Sequence, residues 1–153
     1  MQGWLGNKLR CWMFYRYACY RGTGGRVKYV SADWRQIKVE IPLSWRTRNY
    51  VGTIFGGSMY GALDPIYMIM LIRCLGPEYI VWDKAAGIQF RKPGRSVLQA
   101  HFSISEEELR EIRQSLAGQR SIDRSYRIDL LDSNGEVCAS VSKVIYIRRK
   151  EAR

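Results

Sequence analysis

Alternating hydrophobic and polar positions along the chain predict a set of strands. In the segment 34–43, Ile37, Val39 and Ile41 alternate with polar residues, which is the pattern of a half-buried strand. The dipeptide at 134–135 is Asn-Gly, the strongest short signal for a hairpin, so the segments on either side of it are predicted to pair. The predicted strands cover residues 27–30, 34–43, 79–90, 97–105, 122–131 and 136–148.

The hydrophobic segment 58–75 is the feature around which these strands are organised. Only Asp64 and Arg73 carry charge in it, and a helix that is apolar nearly all round belongs inside a protein. The strands need a cover for their apolar face, and this helix supplies one. The predicted class is therefore α+β, a mostly antiparallel sheet wrapped around a long central helix. Pro65 is expected to kink that helix at Gly61.

Two smaller features follow from the same pattern. Ser105 and Glu108 form a capping box, which opens a helix that closes at Gly118. Along the last strand, the apolar positions change phase around Ser142-Lys143, and this change predicts a β-bulge.

The N-terminal segment 4–20 predicts a helix that is rich in aromatic and basic residues. One interpretation is a membrane-surface helix, and the other is a helix laid over a sheet edge with its basic side in water. The second is favoured, because the apolar residues are too scattered to form one clean stripe. The length predicts a single domain, 1–153, in which 1–25 are the N-terminal helix and loop.

The charge limits the possible partners. Lysine and arginine number 25 against 14 acidic residues, and this net charge of +11 fits an anionic partner: nucleic acid, an acidic membrane face or a phosphate-bearing small molecule. No recognition helix, zinc finger or aromatic RNA-binding signature accompanies it, so nucleic acid is not favoured. The segment 58–75 is the only candidate membrane span, and its internal Asp-Pro and short length argue against one.

The cysteines and the first residues bear on the compartment. Cys11, Cys19, Cys74 and Cys138 lack metal-ligand spacing, so they are expected to be free thiols in the core, with no metal site. Free thiols fit a reducing, cytoplasmic location. The chain start lacks a basic region followed by an apolar run, so no signal peptide is expected.

The loop that enters the central helix carries the candidate chemistry. Gly56-Gly57 stand where the helix would begin, and free N–H groups at a helix start favour negative charge, as in an oxyanion hole. Asp64 follows Gly57 by seven residues, nearly two turns, so both point to the same side, and a carboxylate among apolar residues suits a general base. Alternatively, Asp64 caps a helix that begins at Pro65, and the glycines form an ordinary loop. Local chemistry leaves these alternatives open.

This stretch resembles the hotdog-fold thioesterases of the phenylacetate-pathway type. Asn49, Phe55-Gly56-Gly57 and Asp64 keep the spacing of that family's Asn, His-Gly-Gly and acid. The segments 49–57 and 64–65, together with 82–84, most closely resemble a bacterial domain of unknown function within the hotdog superfamily. The resemblance implies a hotdog fold and the hydrolysis of an acyl-CoA or acyl-carrier thioester, with no cofactor. It also implies a homodimer, or a tetramer of paired dimers, with two sheets joined edge to edge.

The resemblance implies a role for each matching residue. The backbone N–H of Gly57 would polarise the thioester carbonyl, Asp64 would activate or orient the attacking water, and Asn49 would help to hold the water or the carbonyl. Asp83 falls where related enzymes have a small polar residue near the water. The remaining expected substrate contacts are Gly56 and Phe55, with Arg91 and Arg95 of the basic turn 91–95. That turn is either a contact for the phosphates of CoA or an ordinary solvated turn, and the sequence leaves both interpretations open.

Two departures from the family pattern keep a second interpretation open. Phe55 replaces the family's histidine, and Pro65 after the acid is not the usual enzyme pattern. Both changes fit a non-catalytic module that binds acyl thioesters or lipids. A dehydratase would need a histidine near the glycines, whereas the only histidine, His101, lies on a strand elsewhere and is expected in the core or at the surface.

Overall fold

The computed structural model describes residues 3–151, which form five helices and six strands. The helices are α1 (Trp4–Tyr15), α2 (Ala18–Gly22), α3 (Gly56–Leu63), α4 (Ile66–Leu75) and α5 (Glu106–Gly118). The strands are β1 (Arg26–Val30), β2 (Gln36–Ile41), β3 (Tyr79–Phe90), β4 (Leu98–Ser103), β5 (Ser121–Leu131) and β6 (Val137–Arg149). All pair antiparallel in one sheet, in the order β1-β2-β4-β5-β6-β3, so β1 and β3 are its edges.

The apolar face of the sheet packs on α3 and α4. In β2, Ile37, Val39 and Ile41 are buried, as their alternation with polar residues predicts. α3 contacts β2 and β6, and α4 contacts β3. The helix residues that face the sheet, such as Ala62 and Ile66, are fully buried. The predicted α+β class, an antiparallel sheet wrapped on an apolar central helix, is confirmed.

The central helix is divided in two at Asp64-Pro65. Pro65 has no N–H to donate, so the ladder of helical hydrogen bonds is interrupted between α3 and α4. Side chains satisfy carbonyls near the break. The Tyr20 hydroxyl donates to Ala62 O at 3.3 Å, and Lys143 Nζ donates to Asp64 O at 3.0 Å. The break thus lies at the proline itself, not at the position predicted from the sequence.

That predicted position, Gly61, lies inside α3. The single helix predicted over 4–20 is likewise divided, into α1 and α2, at Arg16 and Tyr17. α1 packs against the edge strand β1, which confirms the sheet-edge placement. In the described residues, no helix is both long enough and apolar enough to cross a membrane.

The irregularity predicted in the last strand is a buried lysine and not a bulge. Along β6, Lys143 points inward in phase with Val141 and Ile145, and all three side chains are at most 2% exposed. The register between β3 and β6 instead shifts on β3, between Asp83 and Ala85. The inward phase of β6 is therefore unbroken at Lys143. The pattern changes in the sequence only because a charged residue occupies one of the inward positions.

Of two local predictions, one is confirmed in part and the other in full. Ser105 caps α5, since its hydroxyl oxygen accepts a hydrogen bond from Glu108 N at 3.0 Å, but the Glu108 carboxylate accepts from the Tyr126 hydroxyl and does not complete the predicted capping box. The turn between β5 and β6 contains Gly135 with a φ of +80°, a conformation that glycine adopts readily.

Candidate active site

The break between α3 and α4 places a carboxylate beside a buried lysine. Lys143 Nζ lies 2.5 Å from Asp64 Oδ1 and 3.0 Å from Asp83 Oδ1. The lysine side chain is 2% exposed, whereas those of Asp64 and Asp83 are 41% and 24% exposed. The end of α3, the middle of β3 and the middle of β6 therefore meet in an ion cluster, with one buried cation between two carboxylates.

Burial and ion pairing act in opposite directions in this cluster. Burial lowers the pKa of Lys143, but the contacts with Asp64 and Asp83 outweigh it and raise that pKa above its ordinary value of 10.5. Burial raises the pKa of Asp83, with Lys143 opposing it. Asp83 Oδ1 is buried and receives no well-aligned hydrogen bond from the residues that the structure describes. Lys143 is thus a cation at neutral pH, whereas burial makes the ionised form of Asp83 less favourable.

The Asp64 carboxylate is held on one side only. Its Oδ1 accepts a hydrogen bond from the Tyr60 hydroxyl at 2.6 Å as well as the one from Lys143. Its Oδ2 has no hydrogen-bond partner within residues 3–151. The first turn of α4 receives no side-chain cap, so Asp64 does not cap that helix. One oxygen is fixed and the other is available, which is an arrangement that can orient a water molecule or accept a proton.

Replacing Lys143 by methionine should destabilise the protein by about 2–3 kcal/mol, below the range for removing one partner from a fully buried ion pair, because Asp64 is partly in water. Since the pKa of Lys143 is raised, its charge stabilises the fold below pH 10.5 and that contribution is lost as the pH rises through the raised pKa. Urea unfolding at neutral and alkaline pH measures both effects.

The matched control is Lys38→Met, because Lys38 is also a strand lysine but points into water and forms no salt bridge within the described residues. That variant should stay within about 0.5 kcal/mol of the wild type. Equal unfolding midpoints for the two variants at neutral pH would show that the buried ion pairs contribute nothing.

The other candidate group is the start of α3. The backbone N–H groups of Gly56 and Gly57 have no hydrogen-bond acceptor among residues 3–151, as expected for a first helical turn. A Cβ at Gly57 would lie 2.2 Å from the Phe55 ring, and one at Gly56 would lie 2.7 Å from the Phe90 ring. Both rings are more than half exposed, so two free N–H groups lie between two aromatic rings at the surface.

The basic turn lies next to this helix start. Ile54 N donates to Gly94 O at 2.9 Å, which ties the turn to the residues before α3. Lys92 forms ion pairs with Asp132 and Glu136, so its charge is already compensated within the chain. The two predicted phosphate contacts, Arg91 and Arg95, are exposed, and within residues 3–151 neither pairs with a carboxylate. They leave positive charge available beside the free N–H groups.

Asn49 uses its side chain within its own loop. Its Oδ1 accepts hydrogen bonds from Val51 N at 3.1 Å and Thr53 N at 2.9 Å, and its Nδ2 donates to Thr53 Oγ1 at 2.9 Å. Gly52, with a φ of +82°, completes this turn. Asn49 therefore shapes the loop that leads to Gly56-Gly57.

The predicted site residues thus fall into two half-sites. The acid half-site contains the predicted Asp64 and Asp83, which the structure joins to Lys143 and Tyr60. The glycine half-site contains the predicted start of α3, Phe55 and the basic turn, to which the structure adds Phe90. Along α3, seven residues at 1.5 Å each separate Gly57 from Asp64 by roughly 10 Å. Within one chain, the free N–H groups and the Asp64 carboxylate are thus too far apart to share one hydrogen-bonding partner.

An apolar pocket of about 610 Å³ adjoins the acid half-site. It lies between the N-terminal helices and the central helix, and Asp64 and Pro65 form part of its wall. The aliphatic and aromatic side chains around it include Phe14, Met68 and Ile69. A long apolar group has room here beside a carboxylate.

Lys143 and Tyr60, which contact the Asp64 carboxylate, are the candidate site residues that were not predicted from the sequence. The signal for Lys143 was present, since a lysine in the inward phase of a strand is rarely buried without a partner.

His101, the only histidine, is exposed on β4, so it lies at the surface and not in the core. The four cysteines are free thiols, but the prediction that they lie in the core is right only for Cys138, because Cys11 and Cys74 are half-buried and Cys19 is exposed. No group of three His, Cys, Asp or Glu side chains in the described residues is placed to hold a metal ion.

An antiparallel sheet wrapped around a central helix defines the hotdog fold, and solved structures share it. A probable thioesterase of unknown function from Pseudomonas aeruginosa is 16% identical, with a TM-score of 0.82 over 94% of this chain and 95% of that one. A Haemophilus influenzae thioesterase is 15% identical, with a TM-score of 0.69 over 94% and 90%. The Escherichia coli PaaI protein from the phenylacetic acid degradation operon is 15% identical, with a TM-score of 0.62 over 97% and 94%.

The chain belongs to the family described as Domain of unknown function (DUF4442), whose sequence profile matches residues 6–147. A search of curated proteins finds no significant match. The predicted resemblance, to PaaI-type hotdog proteins and to a domain of unknown function, is confirmed.

Proposed function

We propose that this protein hydrolyses acyl thioesters, with acyl-CoA or an acyl-carrier thioester as substrate. The observation that carries the proposal is the Asp64 carboxylate, fixed through Oδ1 by Lys143 and Tyr60 while Oδ2 is available. It lies at the wall of an apolar pocket with room for an acyl chain. The hotdog relatives that are named as thioesterases support the same reaction class.

The complete site is formed by two copies of the chain. β3 is a twelve-residue edge strand with one unpaired side, and a long free edge is normally covered or paired. Within one chain, Asp83 and Phe90 are roughly 23 Å apart along β3. A two-fold axis near Ala86, where the strand carries small exposed residues, would bring the Asp83 end of one copy beside the Phe90 end of the other. The acid half-site of each copy would then face the glycine half-site of its partner.

In this site the reaction needs only water. Asp64 Oδ2 accepts a proton from a water molecule as the water oxygen attacks the thioester carbonyl carbon. The N–H of Gly57 donates to the carbonyl oxygen as it becomes negative. When the carbon–sulfur bond breaks, the thiolate takes the proton back from Asp64, and the products are a carboxylic acid and a thiol. Arg91 and Arg95 lie where the phosphates of CoA would approach.

A second candidate function is binding of acyl thioesters without turnover. The Phe55 ring lies against the Cα of Gly57, in the position where the related enzymes have a histidine. An aromatic ring there adds apolar contact but no polar contact to a substrate. This candidate predicts that the wild type binds acyl-CoA without turnover, with an affinity that is unaffected by Asp64→Asn.

A panel of acyl-CoAs of increasing chain length tests the proposal, with release of free thiol as the readout. We expect turnover above the blank, with a preference for chains long enough to fill the apolar pocket. Saturable binding without thiol release for every chain would support the binding module instead. Absence of both would contradict the two candidates together.

A further inference from the structure

The N-terminal helix α1 has a second apolar side that the fold does not use. Its inward side is attached to the sheet: Phe14 is buried, Asn7 Oδ1 accepts from Val30 N at 2.8 Å, and Arg10 Nε donates to Val30 O at 3.0 Å. The outward side is formed by large hydrophobic residues that are more than half exposed. They are Trp4, Leu5, Leu9 and Trp12, which are 67%, 69%, 66% and 54% exposed.

These four residues lie on one side of the helix. At 100° per residue they span an arc of about 140° that also includes Lys8, so they form one side of the helix rather than scattered contacts. The apolar residues looked scattered in the sequence because α1 has two apolar sides, one for the core and one outward. Large contiguous apolar patches on a protein surface mark sites of interaction. We call this face, Trp4, Leu5, Leu9 and Trp12, the outward face.

Two cations lie at the outward face, and α1 itself contains no acidic residue. Lys8 Nζ lies 3.7 Å from the centre of the Trp4 ring, and the Arg16 guanidinium lies 5.5 Å from that of Trp12. The first acidic residue of the whole sequence is Asp33, and six lysines and arginines precede it. Tryptophan and leucine beside lysine and arginine are the composition of a helix that lies in the interface of a bilayer.

We propose that α1 docks this protein on the surface of an anionic lipid bilayer, with the outward face inserted among the headgroups. A twelve-residue helix is too short to cross the hydrocarbon core, so it lies in the plane of the surface. A second copy of the chain is a poorer occupant, because it would bring the same uncompensated cations together. The helix α1 packs against β1, at the opposite edge of the sheet from β3, so its outward face stays free in the proposed dimer. The proposal does not depend on thioesterase activity.

The test is co-sedimentation of the full chain with phosphatidylcholine vesicles, with and without phosphatidylglycerol, at low and high salt. We expect the wild type to bind the anionic vesicles at least about tenfold more strongly than the neutral ones, and to lose most of this binding at high salt. The double variant W4Q/W12Q should lose about tenfold or more in binding. Both tryptophans are mostly in water, so the fold should be unchanged.

The matched control is Trp45→Gln. Trp45 is 85% exposed and also has an arginine, Arg46, stacked over its ring, but it lies outside α1. This variant should bind vesicles like the wild type. Binding of W4Q/W12Q at the wild-type level would overturn the proposal. So would a wild type that ignores vesicles but self-associates through these tryptophans, or that is retained by nucleic acid instead.

Discussion

Asp64→Asn should lower the rate of thioester hydrolysis by about 10²- to 10⁴-fold in kcat, the range for loss of a positioned general base. Asparagine keeps the shape of the side chain, and its amide oxygen can still accept the hydrogen bonds from Lys143 and Tyr60. What it loses is the second carboxylate oxygen, which has no protein partner within residues 3–151 and is the one that would take the proton from water. Binding of acyl-CoA should change little, because the apolar pocket is intact.

The matched control for Asp64→Asn is Asp123→Asn. Asp123 also forms an ion pair with a lysine, Lys84, at 2.5 Å, but it does so on the exposed surface of the sheet. This variant should keep wild-type kcat and KM. Steady-state assays of both variants, with thermal unfolding to confirm folding, separate loss of a base from loss of an ion pair. A fully active Asp64→Asn enzyme would move the role of base to another group, with Asp83 the first to test.

Gly57→Pro should lower kcat by about 10²- to 10³-fold, the cost of removing one oxyanion-hole donor. Proline is accepted in the first turn of a helix, and Gly57 N donates no hydrogen bond to the rest of the described chain, so no hydrogen bond within the protein is lost. The substitution removes one hydrogen atom at the position where the carbonyl oxygen becomes negative.

Gly57→Ala is the control for sterics. Alanine also places a Cβ against the Phe55 ring, but it keeps the N–H. The ring is 56% exposed and has room to turn aside in both variants. We expect Gly57→Ala to retain most of the activity. If alanine and proline lower kcat equally, the glycine is needed for space, and the oxyanion-hole role is contradicted.

The sequence predicts the fold well because hydrophobic alternation determines burial along most strands. β3 coincides with its predicted range, and β2 and the hairpin at Gly135 follow their patterns. The prediction from the sequence was wrong where a residue departs from the hydrophobic pattern because of its tertiary contacts. Lys143 lies in the inward phase of β6, and the sequence alone does not show that the carboxylates of Asp64 and Asp83 form ion pairs with it in the folded chain.

The candidate site could be predicted in part. The spacing of Gly57 and Asp64 correctly locates both residues on one helical segment, but it does not show that they are roughly 10 Å apart along the axis. The break in the central helix is predictable from Pro65 alone, because proline has no N–H to donate. The carbonyl groups near the break accept hydrogen bonds from Tyr20 and Lys143, which are far from the break in sequence. Such contacts are set by the packing of the whole sheet.

The central claim is that Asp64 of one copy acts with Gly57 of another, and mixing two inactive variants tests it most directly. Asp64→Asn and Gly57→Pro chains are unfolded together, refolded in equal amounts and assayed against each variant refolded alone. With random pairing, half of the dimers are mixed and each mixed dimer has one intact site, so activity should return to about a quarter of the wild-type value. If the mixture is no more active than the two variants alone, although mixed dimers form, the two residues do not act across an interface.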